Sequence, residues 1–207
     1  MFNPYQNRFL FMEVSIMKVL GIVGSPRKGG NTEILVREAL TAAKEAGAKT
    51  EIVLAADKNI AGCDGCSSCR QTGVCHIKDD MQPIYKQLEA ADAVIFGTPV
   101  YFHNVTAQAK AIIDRTFLFL PDRRLKGKVA VPIIALRRIG AAQTRNLLYG
   151  FFVSQGMIPV QAAIGYGREK GDVRQGVGGG LDLSALEEAR NAGLEVVQML
   201  QKLLIIS

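Results

Sequence analysis

"KVLGIVGSPRKGGNT", residues 18–32, begins as an apolar, β-branched run, turns at a glycine and ends in a loop of small polar residues. The run 18–24 has the form of a buried parallel strand. Beyond the loop, Leu35, Ala39, Ala42, Ala43 and Ala46 recur at helical spacing until Gly47 stops them. Strand, glycine-rich loop and helix in that order open a βα unit. The loop of such a unit is where a ligand phosphate meets the free N–H groups of a helix start.

The same alternation continues outward. "KTEIVLA" (49–55) reads as a second strand, "DDMQPIYKQLEAA" (79–91) as a helix and "DAVIFGTPV" (92–100) as a third strand. "VTAQAKAIIDRTFLFL" (105–120) places Val105, Ala109, Ile112, Ile113 and Thr116 on one helical face. "KVAVPIIAL" (128–136) is a fourth strand in which Pro132 implies a bulge or an early start. A helix over 141–156 and a fifth strand, "MIPVQAAIG" (157–165), follow. After a glycine- and charge-rich loop over 167–180, a last helix starts at an Asp182 cap and runs through Leu186, Ala189, Gly193, Val197 and Leu200. Five strands alternating with helices predict one doubly wound α/β domain, a parallel sheet covered on both faces. No internal repeat or linker divides it.

Composition sets the frame without naming a task. The 207 residues are 48% hydrophobic and 21% charged, an ordinary globular balance. With 25 basic against 19 acidic residues, the net charge of +6 suits an anionic cofactor, nucleic acid or an acidic protein partner. No recognition-helix or RNA-binding motif accompanies the basic residues, so nucleic acid is not expected. No apolar run approaches the roughly 20 residues that span a membrane. Residues 1–16 carry Asn3, Pro4, Gln6, Asn7 and Arg8 where a signal peptide needs an apolar core. They are expected to be a leader, or an artefact of start-site choice, ahead of a domain over 17–207. A cytoplasmic address follows by default.

The first loop offers the donors a phosphate needs. Ser25 and Thr32 supply hydroxyls, Asn31 an amide and Arg27 a fork of N–H groups, while glycines such as Gly30 allow close backbone approach. Asn31 or Thr32 also suits a helix cap, so part of this signal is structural. The dinucleotide fingerprint is absent. Gly24 and Gly29 match Walker spacing, but Gly30-Asn31 replaces the lysine and hydroxyl that ATP chemistry requires. A monophosphate is the natural guest. The exit of the third strand, "TPVYFHN" (98–104), puts Pro99, Tyr101 and Phe102 near the switch point of the sheet. Such residues suit the wall of a flat conjugated ring, although core packing is the commoner use of aromatics.

All four cysteines lie in "CDGCSSCRQTGVC", residues 63–75. Cys63, Cys66 and Cys69 have C-x2-C-x2-C spacing, as in loops that wrap an iron–sulfur cubane, and Cys75 follows closely enough to be a fourth ligand. Zinc more usually takes two separated pairs, and a redox dithiol uses only two thiols. A disulfide pair, or thiols that merely pack, complete the alternatives. His76 reads as a surface or packing residue rather than a further ligand.

"GSPRKGGNT", "GTPVYFHNVTAQAKAIIDR" and the cysteine block followed by "DDM" together resemble the NADPH-dependent FMN reductase family of flavodoxin-like proteins, and most nearly its iron–sulfur flavoprotein branch. The resemblance implies a flavodoxin-like five-stranded parallel sheet in three α/β/α layers, with a cysteine-rich loop (56–82) inserted after the second strand. It implies FMN, its phosphate held by Ser25, Arg27, Asn31 and Thr32, its ring bordered by Pro99, Val100, Tyr101, Phe102 and Asn104. A [4Fe–4S] cluster on Cys63, Cys66, Cys69 and Cys75 is the hallmark of the branch. Electrons would come from ferredoxin or NAD(P)H and leave to a small oxidant or carrier. Homodimers or homotetramers are also implied, and the apolar segments 116–121 and 203–207 are candidate contacts, or else core. No side chain is singled out as catalytic acid, base or nucleophile.

The chain departs from its relatives at "LRRIGAA" (136–142), where many have a glycine-rich loop under the flavin. Arg137 and Arg138 there would stabilise a reduced, anionic flavin, or else face solvent. Two rival functions remain at this point: an NAD(P)H-dependent FMN or quinone reductase whose cysteines hold nothing, and a zinc-stabilised nucleotide-binding regulatory module.

Overall fold

A computed structural model describes residues 16–174 and 183–206. The extension 1–15 and the Asp182 cap lie outside the described residues.

In chain order the elements are β1 (Lys18–Val23), α1 (Asn31–Glu45), β2 (Lys49–Leu54), the short turn α2 (Cys69–Thr72), α3 (Met81–Ala90), β3 (Ala93–Pro99), α4 (Ala107–Arg115), β4 (Val129–Leu136), α5 (Ala141–Ser154), β5 (Ile158–Pro159), β6 (Ala163–Tyr166) and α6 (Leu183–Ile206). All strand pairs are parallel, in the order β2-β1-β3-β4-β5, with β6 also beside β4. The reversal of direction falls between β1 and β3, so the loops after those two strands open into one crevice. β1, β3 and β4 are almost wholly buried because helices cover both faces.

Two apolar layers hold the sheet. One packs α1 and α6 on it through residues such as Leu35, Val36, Ala39, Ala189 and Val196. The other packs α3, α4 and α5 through Ile84, Leu88, Ile112, Leu148 and Phe152. Gly193 permits the close crossing of α6 over α1, since a Cβ there would lie 2.0 Å from the Ala39 carbonyl oxygen. The segment 116–121 is largely core: Thr116, Leu118 and Phe119 are buried. No helix among the described residues is long and apolar enough to cross a membrane.

Three expectations need correction. The single fifth strand is interrupted, with β5 beside Val129 and Ala130 and β6 beside residues 133–136. The Tyr149 hydroxyl fills the break, donating to Val160 O at 3.0 Å and accepting the Ala162 N–H at 3.0 Å. Ala130 O receives the Val160 N–H, so by strand alternation Pro132 also faces this side. Its missing N–H therefore meets the gap, and Pro132 stays in regular pairing with β3 opposite Phe96 without a bulge. The helix read over 105–120 is likewise shorter. Thr106 caps α4 by accepting the Ala109 N–H at 3.0 Å, and the chain tightens into a 3-10 turn at Thr116–Phe119.

Candidate functional site

The loop from β1 to α1 is braced from within. Ser25 is buried, and its hydroxyl accepts the Arg27 N–H at 3.1 Å. Glu33, at the third helical position, reaches back to accept the Gly29 N–H at 2.7 Å. Burial works against its ionised form, yet the Gly29 N–H and the Arg37 guanidinium prevail and hold the carboxyl below its ordinary range. The Thr106 hydroxyl donates to Gly24 O, which ties α4 to the loop. Gly30 is the N-cap, and no side chain caps α1. First-turn N–H groups, which a helix cannot satisfy internally, are thus left to an occupant of the crevice.

That crevice is a cleft of about 270 Å³. Ser25, Arg27, Gly30, Asn31 and Thr32 line it from the first loop, Pro99, Val100 and Tyr101 from the end of β3, and Arg137 from the end of β4. The loop after β6 closes the remaining side with Gly167, Arg168, Glu169 and Lys170. Among these lining residues Glu169 is the sole acid against Arg27, Arg137, Arg168 and Lys170. Lys170 lies over the cradle, its ammonium 3.2 Å from where a Cβ on Gly29 would stand.

Most of the expected cofactor residues therefore meet in one cleft, with two departures. Tyr101 and Asn104 exchange backbone hydrogen bonds at 2.9 and 3.0 Å, closing a tight hairpin with Phe102 and His103 at φ 49° and 63°. The reversal turns Phe102 fully into solvent and leaves the Asn104 side chain on the Val105 N–H at 2.8 Å. Neither lines the cleft. Asn31 lines it, but its amide is already engaged: Nδ2 donates to Glu169 O at 2.9 Å, and Oδ1 accepts the Gly171 N–H at 2.8 Å. Arg168 and Lys170 were missed. Their signal was the position of the charged loop after the fifth strand, at the same carboxyl edge as the other two loops.

The four cysteines line a second, smaller cavity of about 30 Å³, walled by Ile77, Arg115, Phe117 and Leu118. All are free thiols, Cys63 and Cys66 exposed, Cys69 and Cys75 half-buried. Burial pushes the Cys69 thiol up, and the charges of Cys75, Cys63 and Cys66 add to it. Gly73 in the left-handed region (φ 70°) ends α2 and turns the chain back toward Cys75. His76 is exposed at the surface, as expected. Its Nε2 lies 2.7 Å from Asp64 Oδ2, and both ligand atoms stand within 4.8 Å of the Cys66 sulfur. The Cys66 N–H, its thiol and His76 together hold the Asp64 carboxyl below its ordinary range.

The base of this loop is pinched by side chains that the sequence did not single out. Asp79 accepts the Ala61 N–H at 2.9 Å and the Met81 N–H at 3.0 Å. Arg115, 2% exposed, grips Asp79 with both terminal nitrogens at 2.7 and 3.1 Å. Burial alone would raise the Asp79 carboxyl, but these bonds hold it below its ordinary range.

Both cavities pass a test of chemistry. Four soft thiols around one space are the donor set that iron–sulfur groups and zinc use. A helix start without a side-chain cap, beside cations that are unpaired among the described residues, suits a phosphate.

Comparison with known proteins identifies the family. Residues 17–169 match the family described as NADPH-dependent FMN reductase. An iron–sulfur flavoprotein of Methanocaldococcus jannaschii is 40% identical over 199 residues, 90% of this chain and all of that protein. Another, from Methanosarcina thermophila, is 40% identical over 70% of this chain and 77% of its own length. Among solved structures, the NAD(P)H:quinone oxidoreductase from Methanothermobacter marburgensis superposes with a TM-score of 0.70 at 18% identity, covering 88% of this chain and 96% of that one. A flavodoxin from the domain Archaea gives 0.59 at 13% identity, covering 89% and 99%. At such identities the two structures speak for the fold alone, which is flavodoxin-like.

Proposed function

This chain belongs to the NADPH-dependent FMN reductase family, in its iron–sulfur flavoprotein branch, and from that premise we propose that it passes electrons between FMN in the cleft and a [4Fe–4S] cluster on Cys63, Cys66, Cys69 and Cys75. It is a flavin-dependent oxidoreductase, so a regulatory zinc module is set aside. When bound, FMN accepts two electrons together and releases them singly, while a cluster handles one at a time. The observation that carries the cluster reading is that all four thiols line one cavity.

The protein's own part is to bind, orient and polarise. Arg27, Lys170, the Ser25 and Thr32 hydroxyls and the first N–H groups of α1 hold the FMN phosphate. Pro99, Val100 and Tyr101 wall the ring. Arg137, which lines the cleft, would place a positive charge that favours the electron-rich form of the ring. Arg115 and Asp79 keep the cysteine loop closed at its base. Donors are ferredoxin or NAD(P)H, and the acceptor is a small oxidant or carrier. The exposed apolar side chains of Tyr101, Phe102 and Ile139 support a homodimer or homotetramer. The cytoplasm is its proposed location.

The deciding experiment is a visible spectrum with iron and sulfide analysis of anaerobically purified protein. Flavin peaks with a broad brown shoulder, and about four irons per chain for a cubane, are expected. Flavin peaks without iron would assign the chain to the NAD(P)H-dependent FMN or quinone reductases.

A further inference from the structure

Arg115 combines burial, charge and reach in one side chain. It leaves the last turn of α4, is 2% exposed and is one of the residues that wall the cysteine cavity. Every arm is used. Nη1 donates to Ala61 O at 3.0 Å and to Asp79 Oδ2 at 2.7 Å. Nη2 donates to Ile77 O at 3.3 Å and to Asp79 Oδ1 at 3.1 Å, and Nε donates to the Tyr85 hydroxyl at 3.1 Å. Ala61 and Ile77 stand two residues before Cys63 and two after Cys75, so one planar group grips both ends of the segment that carries all four thiols.

We propose that Arg115 is the positioning residue of the cysteine pocket: it closes the neck of the 61–77 loop before any metal arrives and presents a fixed positive charge to the thiolates. The second half rests on the cluster reading above; the first does not.

An ordinary buried ion pair explains less. Such a pair is often replaceable by apolar residues at no loss of stability, because desolvation offsets attraction. Here the guanidinium also satisfies two carbonyls at the loop neck, and Asp79 satisfies the Ala61 N–H from the same side. The arrangement needs a planar fork with several donors, which a lysine ammonium cannot reproduce. Tyr85 extends it, since its hydroxyl accepts the Arg115 Nε–H at 3.1 Å and donates to Arg115 O at 3.3 Å. Four thiolates around a metal centre leave a net negative charge, and a cation in the wall favours the state with one more electron.

The test compares Arg115→Met and Arg115→Lys with wild type, all loaded with FMN. The first readout is amide hydrogen exchange across 61–77, with β3 as internal reference. Exchange in the loop should quicken at least tenfold in both variants while β3 is unchanged; unchanged loop exchange would overturn the clamp. The second is the midpoint potential of the iron–sulfur centre, followed by electron paramagnetic resonance. In Arg115→Met, reduction should become at least tenfold less favourable, a fall of 59 mV for one electron. Arg115→Lys, which keeps the charge, should stay near the wild-type potential despite its looser loop. Equal potentials in Arg115→Met and wild type would overturn the electrostatic half. If Arg115→Met does not fold, Arg115→Lys and Asp79→Asn carry the exchange test: both should quicken loop exchange, and protection in both would refute the clamp. A wild type without iron refutes the cluster reading and the electrostatic half with it, while the exchange result still decides the clamp.

Discussion

Asn31 Nδ2 donates to the carbonyl oxygen of Glu169 at 2.9 Å, joining the start of α1 to a loop 138 residues away. The same amide accepts the Gly171 N–H, so Asn31 holds the two sides of the cleft together. It acts on the phosphate site through Lys170, which that loop carries over Gly29. Asn31→Ala and Lys170→Ala should each weaken FMN binding by about 1–2 kcal/mol. The double variant should cost less than the sum, because both remove one linked feature. Fluorescence titration with FMN checks it; full additivity would mean that Asn31 meets the phosphate itself.

Arg27 lines the cleft, and its guanidinium has no partner among the described residues. Arg27→Ala should remove a charge-assisted hydrogen bond to phosphate, about 1.5–3 kcal/mol, or roughly 10- to 150-fold in Kd. Riboflavin, which lacks the phosphate, should bind both proteins equally. A matching loss with riboflavin would place Arg27 against the ring.

These cases show what the chain discloses by itself and what it withholds. The cradle residues Ser25, Arg27 and Thr32 and the cysteine spacing were legible because their chemistry is local and periodic. Asn31 was legible as a polar residue at a helix start, but its partner is an unremarkable backbone carbonyl far along the chain. Arg115 stood in the sequence only as the last residue of the motif "GTPVYFHNVTAQAKAIIDR", and its 36-residue reach to Asp79 is what makes it a clamp. Pro132 was visible as an anomaly, yet its resolution lies in the neighbouring strand, where Tyr149 bridges the break. Phe102 misled because a two-residue turn sends consecutive side chains in directions that composition does not encode.

Tyr149 makes a simple stability test. Tyr149→Phe removes the hydroxyl and leaves Val160 O and Ala162 N–H without their partner, at a cost of about 1–3 kcal/mol. Urea denaturation should show the loss in midpoint with an unchanged slope. An unchanged midpoint would mean that water replaces the hydroxyl without penalty.

Glu33 should shape the acid limb of stability. Its folded-state carboxyl sits below the ordinary value of 4.5, held there by the Gly29 N–H and Arg37 against burial. The unfolded chain binds the proton first as pH falls, so this contribution is fully present above about 4.5 and is lost as pH drops through the lower folded value. Glu33→Gln should be less stable than wild type at neutral pH, and the two curves should converge below pH 4.5. Parallel curves would show that Glu33 gains nothing from its partners.

The last expectation separates the two cavities. The residues that line the cleft and those that line the cysteine pocket do not overlap. Cys66 is exposed and makes no contact with the β1–α1 loop among its hydrogen bonds, which run to Asp64 and Ser68. Cys66→Ser should therefore abolish iron binding, since a hydroxyl is a harder and poorer ligand for iron than a thiolate. FMN affinity should stay within about twofold of wild type, less than 0.5 kcal/mol. The variant should also lose electron exchange with a one-electron carrier such as ferredoxin, while any direct reduction of its flavin by a hydride donor persists. Stopped-flow absorbance at the flavin band with each donor, run beside iron analysis, distinguishes the routes. Ferredoxin exchange as fast in the iron-free variant as in wild type would show that the cysteine pocket is structural and that electrons reach the cleft directly.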